Sequence, residues 1–144
     1  MRHLSTLSLL IVAVAALPIL APSAVWAADA AKTEKEAMAF PDISKTDLDH
    51  AIAAKQVTLI DCNGTKSYAA GRIPGAIDFA VVGKDLATHL PKDKSALIVS
   101  YCGGPSCGAY KDGAEAAKAL GYTNVKHFSE GISGWKKAGG TVEK

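Results

Sequence analysis

SALIVSYCGGPSCGAYKDGAEAAKAL, residues Ser95 to Leu120, sets the architecture of the chain. Its first part, Ala96 to Tyr101, is an apolar run rich in Val, Ile and Leu, which predicts a buried strand of a parallel sheet. The run stops at Cys102-Gly103-Gly104-Pro105-Ser106, and a helical pattern begins near Cys107. Tyr110, Ala114, Ala117 and Leu120 recur at helical spacing, and Gly121 stands where a C-terminal cap belongs. A thiol is therefore placed at a strand end, in a tight loop that opens onto a helix N-terminus. Gly103 and Gly104 let the backbone curl so that successive N–H groups converge. Those donors and the positive end of the helix dipole favour an anion, so Cys102 is expected to be partly thiolate near neutral pH. The alternative is a small buried hydrophobe closing a core strand.

Working outward, the N-terminal residues have the character of an export leader. Met1-Arg2-His3 is a short basic start, Leu4 to Leu20 is almost wholly apolar, and small residues follow as far as Ala28. Val25 and Ala27 suit the positions before a secretory cleavage site, so residues 1–27 are read as a signal peptide. The alternative is a retained anchor, for which the apolar run is short. Residues 28–39 are a polar, Ala-rich lead-in, and residues 40–144 form the domain. The expected location is periplasmic or secreted, with no membrane attachment after cleavage.

Without Arg2 the remaining chain carries 15 basic and 14 acidic residues, a balance that gives no basis for nucleic-acid binding. Three cysteines, Cys62, Cys102 and Cys107, are too few for a disulfide scaffold and odd in number, so at least one is left unpaired within the chain. His50, His89 and His127 are scattered without ligand spacing, so no metal site is expected.

The domain alternates strands and helices. Phe40 to Ile43 reads as a short extended piece, and Ser44 caps a helix to about Lys55. A strand Val57 to Cys62, a short helix Thr65 to Ala70 and a strand Ile77 to Val82 follow. A helix Lys84 to Leu90 precedes the Cys102 unit, then a strand Val125 to Phe128 and a helix around Ile132 to Ala138, packed by Trp135. This pattern predicts an α/β domain with a mainly parallel five-stranded sheet and helices on both faces. In such sheets the site lies at the carboxyl ends of the strands, here Asp61-Cys62-Asn63, Cys102 to Ser106 and Ser129 to Gly131.

Four pieces together resemble the rhodanese-like domain, and within it the single-domain exported sulfurtransferases. They are LIDCN with YAAGRIPGA (Leu59 to Ala76), SYCGGPSC (Ser100 to Cys107), AAKALGY (Ala116 to Tyr122), and EGISGW with AGG (Glu130 to Gly140). The resemblance implies transfer of sulfane sulfur through a persulfide on Cys102, from a donor such as thiosulfate to a thiol, cyanide or a protein acceptor, with no cofactor. Loop N–H groups from Gly103, Gly104, Ser106 and Cys107 are expected to cradle the anionic outer sulfur. A phosphatase of related design needs an Arg six positions after its Cys; that position is Gly108, and no Arg follows Arg72.

The chain departs from the family pattern in the loop, which holds no cation. Arg72 and Lys111 are the nearest candidates for contact with a dianion. Asp61 is expected to bond loop N–H groups or Arg72, and Asn63 to support the loop. Cys107 and Cys62 are candidate resolving thiols, with a plain packing role as the alternative for each. Two further readings accordingly stand beside the transferase: a persulfide carrier or docking module without turnover, and a thiol–disulfide redox protein using Cys102 with Cys107 or Cys62.

Overall fold

The computed structural model describes residues 40–144, so the expected leader and lead-in lie outside the described residues. Ser44 accepts a hydrogen bond from the Asp47 N–H at 3.1 Å and opens α1 (Lys45–Ala53), with Leu48 facing the core. The strand β1 (Val57–Asp61) leads to α2 (Thr65–Ala70), and β2 (Ile77–Asp78) leads to α3 (Phe79–Val82). A 3₁₀ turn (Gly83–Asp85) joins α3 to α4 (Leu86–His89). Then come β3 (Leu97–Tyr101), α5 (Tyr110–Ala119), β4 (Val125–Phe128) and α6 (Gly131–Lys137).

The sheet has four strands in the order β2-β1-β3-β4, all parallel. Asp61 at the end of β1 lies level with Tyr101 at the end of β3 and Asp78 on β2, and Tyr101 lies level with Phe128 on β4. The strand ends thus share one rim, which is where the loops gather.

The expected fifth strand is absent among the described residues. The Phe40 to Ile43 piece forms only an isolated parallel bridge, Asp42 to His127, with two backbone hydrogen bonds of 2.9 Å. Pro41 has no N–H to donate, and the Ser44 cap turns the chain into α1 before a ladder can grow. The strand expected over Ile77 to Val82 is also shortened. The Asp78 side chain accepts from the Ala80 N–H at 3.0 Å and starts a helix in an apolar run that composition reads as β.

Alternation along the strands splits the core between the two faces of the sheet. Leu59, Val99, Tyr101 and Phe128 meet Leu48 of α1 and Trp135 of α6 on one side. Ile60, Ile98 and Val125 meet Leu86 of α4 and Ala114 and Ala117 of α5 on the other. Trp135 stands edge-on to Phe128, with ring centroids 6.3 Å apart, and donates its indole N–H to the Thr141 carbonyl at 2.7 Å. It packs the last helix onto the sheet, as expected. Gly121 ends the α5 region with φ +91°, a left-handed conformation natural to glycine.

Candidate active site

Cys102 is the first residue past β3, and Ser100 two residues before it shares its side of the strand. That side faces α5, where the Ser100 hydroxyl donates to the Tyr110 carbonyl at 2.7 Å and ties the first turn of the helix to the strand. The loop between them runs from Cys102 to Ala109. The helix begins at Tyr110 rather than near Cys107, because the Cys107 N–H is turned back onto the Gly104 carbonyl at 3.0 Å. Cys107 therefore spends its N–H inside the loop, and its expected place in the cradle falls away.

The N-terminal end of α6 holds the loop from the other side. Ile132 N–H donates to the Cys102 carbonyl at 2.9 Å, and Ser133 N–H donates to the Gly103 carbonyl at 3.1 Å. The Ser133 hydroxyl also bonds that Gly103 carbonyl. Gly131 makes the approach possible: its φ is +57°, and a Cβ there would strike the Cys102 carbonyl and sit 2.6 Å from the Gly104 nitrogen. The EGISG segment is thus a clamp on the back of the cysteine loop. It takes up the carbonyls of Cys102 and Gly103 on that side.

Cys102 is only 1 % exposed. Burial pushes its thiol above the ordinary value, aided by the hydrogen-bonding Cys107 side chain, while the N–H groups of Tyr110 and Gly104 pull the other way. The thiol lies 3.2 Å from the Cys107 carbonyl and donates to it, an acceptor that favours S–H over S⁻. The expectation of a ready thiolate is therefore corrected. The helix N-terminus is present, yet starts later than expected, and desolvation outweighs it. In Cys107, burial also opposes ionisation, but hydrogen bonds from Cys102 and from the N–H groups of Gly103 and Ala109 outweigh it and hold the thiol below the usual value.

Asp61 and Tyr101 form a buried support beneath the rim. The Tyr101 hydroxyl donates to Asp61 Oδ2 at 2.7 Å and accepts from the Ile73 N–H at 3.1 Å. Burial and then the bond to Asp61 keep the phenol protonated, so it remains a donor. The other Asp61 oxygen accepts from both the backbone and side-chain N–H groups of Asn63, each at 2.8 Å. Asn63 in turn places its Oδ1 3.5 Å from where a Gly103 Cβ would stand. Asp61 thus reaches the loop through Asn63 and Tyr101, not through Arg72.

Arg72 is engaged elsewhere. Its guanidinium lies 3.2 Å from Glu143, bonds the Lys144 carbonyl at 3.4 Å and covers the Tyr68 ring at 4.4 Å. Lys111 is exposed on the first turn of α5. A cation absent from the sequence reading lies on α6: Lys137 lines a cleft of about 570 Å³ with Pro105 of the loop, Glu130, Ser133, Gly134 and Ala138. Its i to i+4 spacing from the loop-bonding Ser133 puts both on one face of α6, but no motif in the sequence marks Lys137. Ser106 is exposed at the crest of the loop, and Gly103 and Gly104 are half-buried.

Cys62 turns toward α5. Its Sγ is 3.4 Å from the Ser100 hydroxyl and packs where a Cβ on Gly113 would come within 2.7 Å. Burial pushes its thiol up to about 11, against the opposing bonds of Ser100 and Gly113. This is a packing cysteine, and the expected resolving role for it has no geometric support.

The arrangement can hold one buried sulfur nucleophile whose anion the N–H groups of Gly104 and Tyr110 favour, with a cleft on one flank. The profile of the Rhodanese-like domain family matches residues 44–138. A curated relative is the HTH-type transcriptional regulator Rv0324 of Mycobacterium tuberculosis, 33 % identical over 126 residues, which cover 87 % of this chain and 52 % of that protein. The chain thus spans about half the length of that relative. Among solved structures, BH2092 protein from Bacillus halodurans has a TM-score of 0.61 at 25 % identity, over 81 % of this chain and 85 % of that one. The human single-domain sulfurtransferase TSTD1 has a TM-score of 0.55 at 22 % identity, over 67 % of this chain and 96 % of its own. Thiosulfate sulfurtransferase from Pseudomonas aeruginosa has a TM-score of 0.59 at 22 % identity, over 76 % of this chain and 21 % of that one. The last two likenesses are of fold. From α1 to α6, with a cysteine in the loop after the central strand, the chain belongs to the rhodanese-like domain family.

Proposed function

We propose that the protein is a sulfurtransferase that carries sulfane sulfur as a persulfide on Cys102. The observation that carries this reading is the position of the Cys102 sulfur, buried in the loop after β3 and 3.2 Å from the Cys107 carbonyl, where the N–H groups of Gly104 and Tyr110 favour its anion. The Cys102 thiolate attacks the outer sulfur of thiosulfate, the S–S bond breaks, and sulfite leaves with the electron pair. The product, Cys102–S–S⁻, projects its charge one bond further into the loop, where N–H donors stabilise it. Cyanide, a small thiol or a protein thiol then takes the outer sulfur and returns Cys102. Lys137 at the flanking cleft and Lys111 on α5 are the cations available to the donor dianion. The apolar leader at residues 4–20 extends the proposal to an exported protein acting in the periplasm or outside the cell. Among the described residues no helix is long and apolar enough to cross a membrane.

A second reading, a carrier that holds persulfide with slow turnover, is favoured by the raised Cys102 thiol and the cation-free loop. One measurement separates them. Thiosulfate is expected to add about 32 Da, one sulfur, to the intact protein, and the Cys102→Ser variant is expected to stay unchanged. Cyanide should remove the added mass in a fast, repeatable cycle if the protein is a transferase, and in a slow single discharge if it is a carrier. No mass gain would reject both.

A further inference from the structure

The transfer cycle uses one thiol, yet the loop holds a second close to it. Cys102 and Cys107 are both free, and each thiol influences the ionisation of the other. The turn closed by Cys107 N–H and the Gly104 carbonyl folds the chain back, so that the Cys102 sulfur also lies 3.2 Å from the Cys107 carbonyl. Cys107 is partly exposed where Cys102 is buried. Gly103 and Gly104 meet nothing closer than 3.5 Å where a Cβ would stand, and Gly108 meets nothing within 4 Å, so the segment has room to tighten. Cys62 is held apart, between Ser100 and Gly113.

We infer that Cys107 resolves the Cys102 persulfide when no acceptor is present, discharging its outer sulfur as hydrogen sulfide and closing a Cys102–Cys107 disulfide. This second reaction rests on the persulfide reading above. The Cys107 thiolate attacks the inner sulfur, which is Cys102 Sγ. The bond from Cys102 Sγ to the outer sulfur breaks, and its electron pair leaves as HS⁻. The two cysteine sulfurs are oxidised to a disulfide while the sulfane sulfur is reduced to sulfide, so no outside oxidant enters. The proton released by Cys107 passes to the anionic outer sulfur, which therefore leaves as HS⁻. Hydrosulfide departs more readily than an alkyl thiolate because its conjugate acid is the stronger one. Holding the attacking sulfur beside its target makes the step intramolecular, with the rate advantage that this brings. The N–H groups of Gly103 and Ala109, which favour the Cys107 thiolate and do not depend on the Cys102 proton, act in the same direction. A small-molecule or protein dithiol then reduces the disulfide and returns both thiols.

The test follows sulfur and mass together. Full-length protein is loaded with thiosulfate, freed of donor and left without acceptor. In the wild type, the added mass of about 32 Da is expected to give way to a loss of about 2 Da relative to the reduced protein, with one equivalent of sulfide trapped. The missing hydrogens should map to the tryptic peptide Ser95–Lys111, which carries both Cys102 and Cys107 but not Cys62. Cys107→Ser and Cys107→Ala should each keep the persulfide at least about tenfold longer and form no bridge, as expected when an intramolecular thiol is removed. Equal persulfide lifetimes in the wild type and both variants would overturn the inference and leave the transferase reading standing. No mass gain in any of the proteins would overturn the transferase reading, and this reaction with it. Diamide gives an arm that needs no persulfide. It should close the same bridge in reduced wild type, and a folded wild type that resists closure would show that the thiols cannot meet.

Discussion

The carboxyl ends of β1 and β3 are built to one recipe and have opposite characters. Each strand ends level with the other, Asp61 beside Tyr101, and each is followed by a cysteine, a glycine-containing turn and a helix. Cys62 remains in the ladder, its N–H bonded to the Tyr101 carbonyl at 2.9 Å, so its side chain is directed under α5. Cys102 leaves the sheet and enters a loop held by α6 on one side and the first turn of α5 on the other. The helices differ as well: α2 buries no residue, whereas α5 buries Gly113, Ala114 and Ala117. Chemistry at a strand end therefore depends on what clamps the loop after it, and a cysteine in the right place along the chain is insufficient.

The sharpest way to break this contrast is to remove each thiol in turn. Cys102→Ser is expected to lower the thiosulfate:cyanide rate by a factor of about 10³ or more, because a serine hydroxyl cannot take up sulfur. Cys62→Ser should keep the rate within about twofold, since its partner Ser100 accepts a hydroxyl as readily as a thiol. Comparable losses in two folded variants would place Cys62 in the cycle and erase the distinction.

The raised Cys102 thiol gives the next effect. Its group is protonated below its folded pKa and reacts as the anion, so the rate rises with pH until that pKa is passed. Persulfide formation at limiting thiosulfate should climb about tenfold per pH unit between roughly pH 6 and 8. A flat profile over that range would mean that the loop donors overcome burial and that Cys102 is already ionised.

Gly113 sharpens the other side of the comparison. A Cβ there would lie 2.7 Å from Cys62 Sγ, 2.8 Å from Ile60 Cγ2 and 3.0 Å from the Ser100 hydroxyl. Gly113→Ala is expected to destabilise the fold by about 2 kcal/mol through overpacking, and Cys62→Ala should restore about half of that loss in denaturant melts. Additive losses would show that the strain falls on β1 and β3 rather than on the thiol.

A smaller effect is expected from charge. Gly103 has no positive φ, and a Cβ there meets only Asn63 Oδ1 at 3.5 Å, so a side chain fits. Gly103→Arg is expected to lower KM for thiosulfate about three- to tenfold by giving the dianion a charge-assisted contact. An unchanged KM in the folded variant would assign anion binding to Lys137 or Lys111.

The sequence made the frame of the site legible. Ser44 as a cap, the VTLID and LIVSY strands, the α2 span and Trp135 as the tie of α6 to the sheet are all as expected. The misses share a cause. Phe79 to Val82 has a strand-like composition, and one side-chain cap from Asp78 makes it helical. The piece before α1 has alternation enough for a fifth strand, and Pro41 with the Ser44 cap limits it to a bridge. Arg72 sits in the most recognisable string of the chain, yet Glu143, 71 positions later, occupies its guanidinium. Lys137 carried no motif and lies at the flanking cleft.

The amino-acid sequence by itself determined the order of strands and helices, the family and the cysteine on which the reaction is proposed. Each of these is written in local terms: apolar periodicity, turn residues, caps and short strings. Only the tertiary structure decided how the thiols differ. It buries Cys102 beneath a loop held by α6, seals Cys62 under Gly113, and brings Cys107 back onto Cys102. Ionisation and nucleophile access depend on desolvation and on hydrogen-bond partners, which for Cys102 come from the folded-back loop and the first turn of α5 and for Cys62 from β3 and α5. Their sum is fixed when the elements pack.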